Sequence, residues 1–267
     1  MNQKNEAPDN VARPAATVLL LRDTDQLEVL MVERHADIGF AGGALVFPGG
    51  KVDDADRAGK WSSCAAGLSQ DSVFAAAQVA AIREAFEEAG VLLARRQGAG
   101  EFLPPEVVDE LQGWRKESET DAGAFFRMLE VEDLVLACDH LTLFSHWVPP
   151  MGLHKRFDTL FFLAPTPPGQ VVRQDGVEAT EAVWLSPQKA LADAKKGARR
   201  IIFPTARNLE LLGLSSSVEN AIAASKSRTV RQIQPKVEER DGVMYLTIPD
   251  DLGYPVTEER LDAADRS

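Results

Sequence analysis

The chain has 267 residues, 45% of them hydrophobic and 26% charged, enough for one large domain or two small ones whose core needs no disulfide or structural metal. Its formal charge is −12, from 29 basic and 41 acidic residues. This disfavours binding to a nucleic-acid polymer, which rests on Lys and Arg at phosphates, but leaves a small phosphate ester open as a partner. The two cysteines, Cys64 and Cys138, lie far apart without zinc spacing; they fit a reducing, cytoplasmic setting and not a disulfide scaffold. No apolar run approaches the roughly 18 residues of a membrane span, and the polar start lacks a signal core, so no membrane association is expected. The last residues, Asp265-Arg266-Ser267, are not a peroxisomal address.

Residues 1–13 read as a disordered arm. Ala15 to Leu21 is a compact apolar run and reads as a buried strand; a turn follows over Arg22 to Gln26, then a second strand from Leu27 to Glu33. A Gly-rich loop, Gly39 to Gly43, leads to a short strand, Ala44 to Phe47, and a turn at Pro48-Gly49-Gly50. Val73 to Ala89 is Ala-rich, free of internal Gly and Pro, and stops at Gly90, so it predicts a helix with a glycine C-cap. Leu103 to Val131 turns helical and charged, with Val107, Leu111 and Trp114 on one face, and reads as an inserted subregion around 100–140. Strand character returns at Leu141 to Val148, Thr159 to Ala164 and Ala182 to Leu185. Ser186 then caps a helix over Pro187 to Lys196, Ile202 to Leu212 predicts another, and the tail from Val230 to Ile248 holds two strand-like runs. Strands interleaved with helices argue for an α/β sandwich. The expected organisation is one domain over 14–204, with residues 205–267 as a C-terminal extension packed on it.

The chemistry-bearing segment is Arg83-Glu84-Ala85-Phe86-Glu87-Glu88-Ala89-Gly90-Val91. On a helix, Glu84, Glu87 and Glu88 share one face, while Val79, Ile82 and Phe86 form an apolar face that would pack inward. Like charges at this spacing repel by roughly a few tenths of a kcal/mol per pair, so a hard divalent cation is the natural compensation. Arg83, four residues before Glu87, can brace that carboxylate. An acidic run alone is more often a solvated face. Here it hangs from an apolar scaffold, behind Phe47-Pro48-Gly49-Gly50, whose glycines admit close backbone approach.

These two segments resemble the Nudix box, Gly-x5-Glu-x7-Arg-Glu-U-x-Glu-Glu-x-Gly-U with U aliphatic. Gly50 matches the first glycine, and Arg83 to Val91 match every fixed residue of the second half. The departure lies between them. Six residues after Gly50 the family's glutamate is replaced by Asp56; counted back from Arg83, the same place holds Ala75. Between Asp56 and Arg83 stand 26 residues where the pattern has seven, an insertion of 19. Gly43 to Gly50 also resembles the Gly-x3-Phe-Pro-Gly-Gly pattern of coenzyme A diphosphatases, although Gly39 stands where that pattern has Arg; Arg34 and His35 lie earlier. The long insertions, Ser145 to Pro149 and Arg156-Phe157-Asp158-Thr159 resemble the large-insert branch that includes peroxisomal acyl-coenzyme A diphosphatases.

The resemblance implies a Nudix-type α/β/α sandwich with a mixed sheet. It also implies a hydrolase of a diphosphate linkage in a nucleoside-diphosphate-type molecule, with coenzyme A or acyl-coenzyme A as the leading specific expectation. It implies Mg²⁺ or Mn²⁺ held by Glu84, Glu87, Glu88 and the Gly50 carbonyl, with Glu84, Glu87 and Arg83 catalytic. Glu84 would bind a bridging metal or act as general base, and Glu178 or Glu181 would supply a further acid. Arg34, Lys51, Lys155, Arg156 and Phe47 are candidates for the substrate, although Arg156 serves equally as a structural partner of Asp158. His146 is expected to be a satisfied residue beside an apolar strand, and Trp184 and Phe162 to be core. A homodimer is left open. The competing readings are a catalytically weak Nudix-fold nucleotide sensor, against which the three glutamates speak, and an isomerase of the same fold, which would need a placed cysteine.

Overall fold

The computed structural model describes residues 11–36, 41–121, 123–151, 156–174 and 179–261. Most of the expected disordered arm falls outside them, and Arg13 already begins the first strand, β1 (Arg13–Asp23). It is followed by β2 (Leu27–Arg34), β3 (Leu45–Val46) and β4 (Gly49–Lys51). The two glycines expected to form a turn are therefore in a strand: Gly50 pairs with Ala16 and Gly49 with Thr17 of β1. Next come β5 (Ala65–Ala66), α1 (Ser72–Ala89) and β6 (Ala94–Arg96).

The helical stretch expected over 103–131 is three short helices, α2 (Pro105–Leu111), α3 (Gly113–Thr120) and α4 (Ala124–Val131). Its inward face is set by Val108 and Leu111, with Val107 and Trp114 only partly buried. Then β7 (Leu134–Ala137), β8 (Thr142–Trp147), β9 (Phe157–Pro165) and β10 (Ala179–Leu185) lead to α5 (Pro187–Lys195) and α6 (Phe203–Leu212). Residues 213–261 contribute α7 (Val218–Ser227), which the sequence pattern did not reveal. They also form β11 (Gln232–Ile233), β12 (Lys236–Arg240), β13 (Val243–Thr247) and β14 (Glu258–Arg260).

The main sheet is mixed, in the order β10-β2-β1-β9-β8-β11, with β3 added to β2 and β4 to β1. β1 runs parallel to β9, with Ala16 opposite Leu160, and antiparallel to β2. Alternation along β1 separates two cores, as the period of a strand requires. Ala16, Val18 and Leu20 face α1, while Leu19 and Leu21 pack with Leu209, Leu212 and Ala221 of α6 and α7. The result is the expected α/β/α sandwich. A small sheet, β5-β7-β6, joins the segment before α1 to the segment after α4.

Local chemistry fixes α1 at both ends. Asp71 caps it by accepting from the N–H groups of Val73 and Phe74, and Gly90 ends it with φ 70°, a left-handed conformation suited to glycine. From Ala76 to Ala89 every residue but Glu84 is buried, far more than a one-faced helix would bury, because the inserted helices cover its outer side.

Candidate active site

The site forms where one end of the sheet meets the second half of α1. Gly50 packs directly on Glu84: a Cβ added there would stand 2.5 Å from the Glu84 carboxyl carbon and one of its oxygens. Here the absence of a side chain admits the carboxylate. One residue earlier, the Gly49 N–H donates to Glu88 Oε2 at 2.9 Å, and Arg34 on β2 brings a guanidinium nitrogen to 3.8 Å from Glu88 Oε1. The FPGG segment thus touches two of the three glutamates through a strand, not a turn.

Arg83 is the centre of the cluster and is only 4% exposed. Its Nε and one terminal nitrogen grip Asp56 in a two-point fork at 3.1 and 3.0 Å, while the latter nitrogen also donates to the Lys51 carbonyl at 2.9 Å. The other terminal nitrogen lies 2.6 Å from Glu87 and 2.9 Å from Glu84. Burial works against the Arg83 charge, but Glu84, Asp56 and Glu87 outweigh it and hold the guanidinium protonated above its ordinary range.

The ambiguity between Asp56 and Ala75 is thereby resolved: Ala75 lies in the first turn of α1, whereas Asp56, 2% exposed, takes the arginine. The 19 inserted residues leave the chain between them free to bring this shorter acid into place. Burial pushes the Asp56 carboxyl above its usual range, and Arg83 pulls it back part of the way.

Glu87 is 6% exposed, and burial, opposed by Arg83 and reinforced by Glu84, pushes its pKa up to about 8. Its Oε1 is buried without a hydrogen-bond partner. An orphaned carboxylate oxygen is costly in a protein interior and is what a hard cation would satisfy. Among the described residues no three His, Cys, Asp or Glu side chains converge as a ready cation cage. An Arg83 nitrogen lies against both Glu84 and Glu87. The donor set of oxygens on one helix face nevertheless fits a divalent ion.

A residue the sequence reading missed is Arg115 of α3. It donates to the backbone carbonyl of Glu87 at 3.2 and 2.8 Å, while Gln112 donates to that of Gly90 at 3.1 Å. The carbonyls in the last turn of a helix lack helical partners, and here the insertion supplies them. Both contacts cross more than twenty residues, and no local pattern announces them.

Several other candidates lie elsewhere. Phe47 is 2% exposed in the core on the α5 and α6 face of the sheet, not on the α1 face. Lys51 has an exposed side chain and joins the cluster through its carbonyl. Arg156 is buried and donates through Nε and a terminal nitrogen to the Pro149 carbonyl; Asp158 is held instead by His146 at 2.5 Å.

Glu181 pairs with Arg199, which also holds Glu33, on the face away from α1, and Arg199 lowers its carboxyl pKa. It is therefore not brought to the three glutamates. Gly39, Lys155, His154 and Glu178 lie outside the described residues. Phe162 is core, but Trp184 is half-buried beneath the Arg22 guanidinium, 4.3 Å from its ring centre.

With fold and site in view, the chain belongs to the Nudix superfamily: a model of the NUDT19 Nudix domain matches residues 67–210, more than half of it. It stands in the NUDT19-like branch and is a Nudix hydrolase, acting on a diphosphate linkage. A Xenopus laevis protein named acyl-coenzyme A diphosphatase NUDT19 is 25% identical over 87% of this chain and 73% of its own length. A Gallus gallus protein of the same name is 29% identical over 85% of this chain and 73% of its own. Among solved structures, a NUDIX hydrolase from Alicyclobacillus acidocaldarius superposes with a TM-score of 0.68 at 26% identity, covering 80% of this chain and 96% of that one. Nudix hydrolases in general use a divalent metal ion. Among the described residues, no helix is long and apolar enough to cross a membrane.

Proposed function

We propose that this chain hydrolyses the diphosphate linkage of coenzyme A or acyl-coenzyme A with Mg²⁺ or Mn²⁺ bound at Glu84, Glu87, Glu88 and the Gly50 carbonyl. The observation that carries the metal is the orphaned Glu87 Oε1, buried among carboxylates on a helix whose outer side is sealed. Support for the substrate class comes from the relatives named as acyl-coenzyme A diphosphatases. When bound, the metal supplies Lewis acidity and neutralises charge on the phosphate oxygens.

The chain's own residues do the rest. Asp56 and the Lys51 carbonyl hold Arg83, which fixes the rotamers of Glu84 and Glu87. Glu88 is oriented by the Gly49 N–H, and Glu84 lies where Gly50 leaves room, placed either to hold cation or to take the proton of attacking water. Arg34, beside Glu88, is the cation placed to meet a phosphate oxygen. Oxygen ligands serve both Mg²⁺ and Mn²⁺, so the choice between them rests on assay.

The proposal extends to a single Nudix domain over 14–204, with 205–267 packed on it. Ile233, Ile248 and Tyr254 support this by entering the core with α6. A cytoplasmic setting is supported by the two buried free cysteines, and a homodimer is testable by sedimentation. The test of the activity is product release from coenzyme A, acyl-coenzyme A, NADH, ADP-ribose and nucleotide sugars, with each metal or chelator. Chelator-sensitive cleavage of the coenzyme A compounds is expected. Preference for another class, or metal binding without turnover of any, would overturn the assignment, the latter in favour of a sensor.

A further inference from the structure

We infer that Arg115 of the inserted helix α3 is a positioning residue for the metal. Locked onto the Glu87 carbonyl, its guanidinium holds the last turn of α1 so that the Glu87 and Glu88 carboxylates keep the placement a divalent cation needs. The inference rests on the metal site proposed above.

The end of α1 leaves its carbonyls to be met from outside. The Gly90 N–H closes on the Phe86 carbonyl at 2.9 Å, and the Val91 N–H on that of Ala85 at 3.3 Å. Glu87 comes next, and its carbonyl is among those that a helix terminus leaves over. Arg115 meets it through Nε at 3.2 Å and a terminal nitrogen at 2.8 Å. The rest of the turn is held in the same way. The Arg173 N–H donates to the Ala89 carbonyl at 2.9 Å, and the Gln112 side-chain amide to that of Gly90 at 3.1 Å. Gln112 also aims the guanidinium, since its Oε1 accepts from the other terminal nitrogen of Arg115 at 3.1 Å. Gly90 admits both side chains: a Cβ there would stand 2.8 Å from Gln112 Oε1 and 3.2 Å from that nitrogen.

Glu87 is thus gripped at both ends by arginines. Arg83 takes its carboxylate at 2.6 Å, and Arg115 takes its backbone. Glu88, one residue on, has its carboxylate fixed on the Gly49 N–H. With these carboxylates tied to other groups, any shift of the Glu87 peptide is absorbed by the side chains between, which changes how their oxygens are presented. Loss of Arg115 drives such a shift, because both residues are buried and an unpaired carbonyl there is costly. An arginine at the carbonyl end of a helix also meets its negative pole, which favours this seat. Groups that orient metal ligands without touching the ion alter its affinity about 10–100-fold.

The experiment measures the Mn²⁺ affinity of substrate-free protein from the EPR signal of free ion, alongside kcat and KM for coenzyme A. The proteins are wild type, Arg115→Met, Arg115→Lys and Arg156→Ala. The last loses a similar two-nitrogen clamp, on the Pro149 carbonyl outside α1, and controls for general destabilisation. Arg115→Met is expected to weaken Mn²⁺ binding about tenfold. Its kcat should fall at limiting metal and recover in excess metal, with KM for coenzyme A near wild type. Arg115→Lys keeps the charge but not the two-nitrogen contact; it should weaken the ion about threefold, and it carries the test alone if the methionine variant fails to fold. Wild-type affinity in the folded Arg115 variants, or an equal loss in Arg156→Ala, would overturn the inference. A wild type that binds no Mn²⁺ would instead remove the metal site, and this inference with it.

Discussion

The contact between Asp56 and Arg83 offers a quantitative test of how the site is assembled. Asp56→Ala removes two hydrogen bonds from a guanidinium that is 4% exposed, together with the acceptor of the Asp53 N–H. Deleting one partner of a buried ion pair generally costs about 3–5 kcal/mol. Arg83 keeps Glu84, Glu87 and the Lys51 carbonyl, so the lower end applies, about 3 kcal/mol. In a chain of this size that corresponds to a fall in Tm of roughly 6–12 °C. Activity should fall as well, because an arginine released from Asp56 keeps only the distant, half-exposed Asp53 as a charged partner besides the α1 carboxylates, and competes with the metal for the latter. Asp56→Asn, which keeps the shape but not the charge, should lie between. The assay is thermal unfolding with and without metal, alongside kcat on the preferred substrate. A Tm within about 2 °C of wild type with kcat intact would show that the fork on Asp56 does not anchor Arg83.

Gly50→Ala should act on turnover more than on the fold. The three atoms nearest the added methyl are the carboxyl group of Glu84, which must move away at the cost of its contact with Arg83, so kcat is expected to fall on the order of 10²-fold with a smaller effect on Tm. Kinetics and melting of that one variant decide the point, and normal kcat would detach Glu84 from the mechanism. A carboxyl whose pKa is raised on folding stabilises the protein below its unfolded value and loses that contribution as pH rises. Chelator-treated protein should therefore lose Tm between about pH 4.5 and pH 8 through Glu87. The slope should shrink in Glu87→Gln and be offset by added Mg²⁺ at the alkaline end; identical slopes in both proteins would contradict the assignment. Arg156→Ala, which removes a buried clamp on the Pro149 carbonyl, should lower Tm while leaving KM near wild type, and a rise in KM alone would restore its role at the substrate.

What was legible in the sequence was local. α1 declared itself through its composition and Gly90, and its carboxylates through their spacing. β1, β2, β8, β9 and β10 announced themselves as short apolar runs. What escaped was decided by pairing between distant segments. Gly49 and Gly50 have turn propensity, yet the free edge of β1 at Ala16 and Thr17 draws them into a strand. Asp56 and Ala75 were equivalent by counting, and only tertiary placement separates them. Glu181 looked available, but strand alternation beyond a bulge turns it to the far face, where Arg199 holds it. The inserted helices read only as a charged helical subregion, and the contacts of Arg115 and Gln112 with the end of α1 left no trace in it.

The central question is whether metal at Glu87 drives cleavage of a coenzyme A diphosphate. The measurement is the release of phosphorylated products from coenzyme A and acyl-coenzyme A by wild type and Glu87→Gln, in Mg²⁺, Mn²⁺ and chelator. Wild-type turnover should be abolished by chelator and lowered on the order of 10³-fold in the folded variant. Cleavage that persists at the wild-type rate in Glu87→Gln, or that is indifferent to chelator, would contradict this.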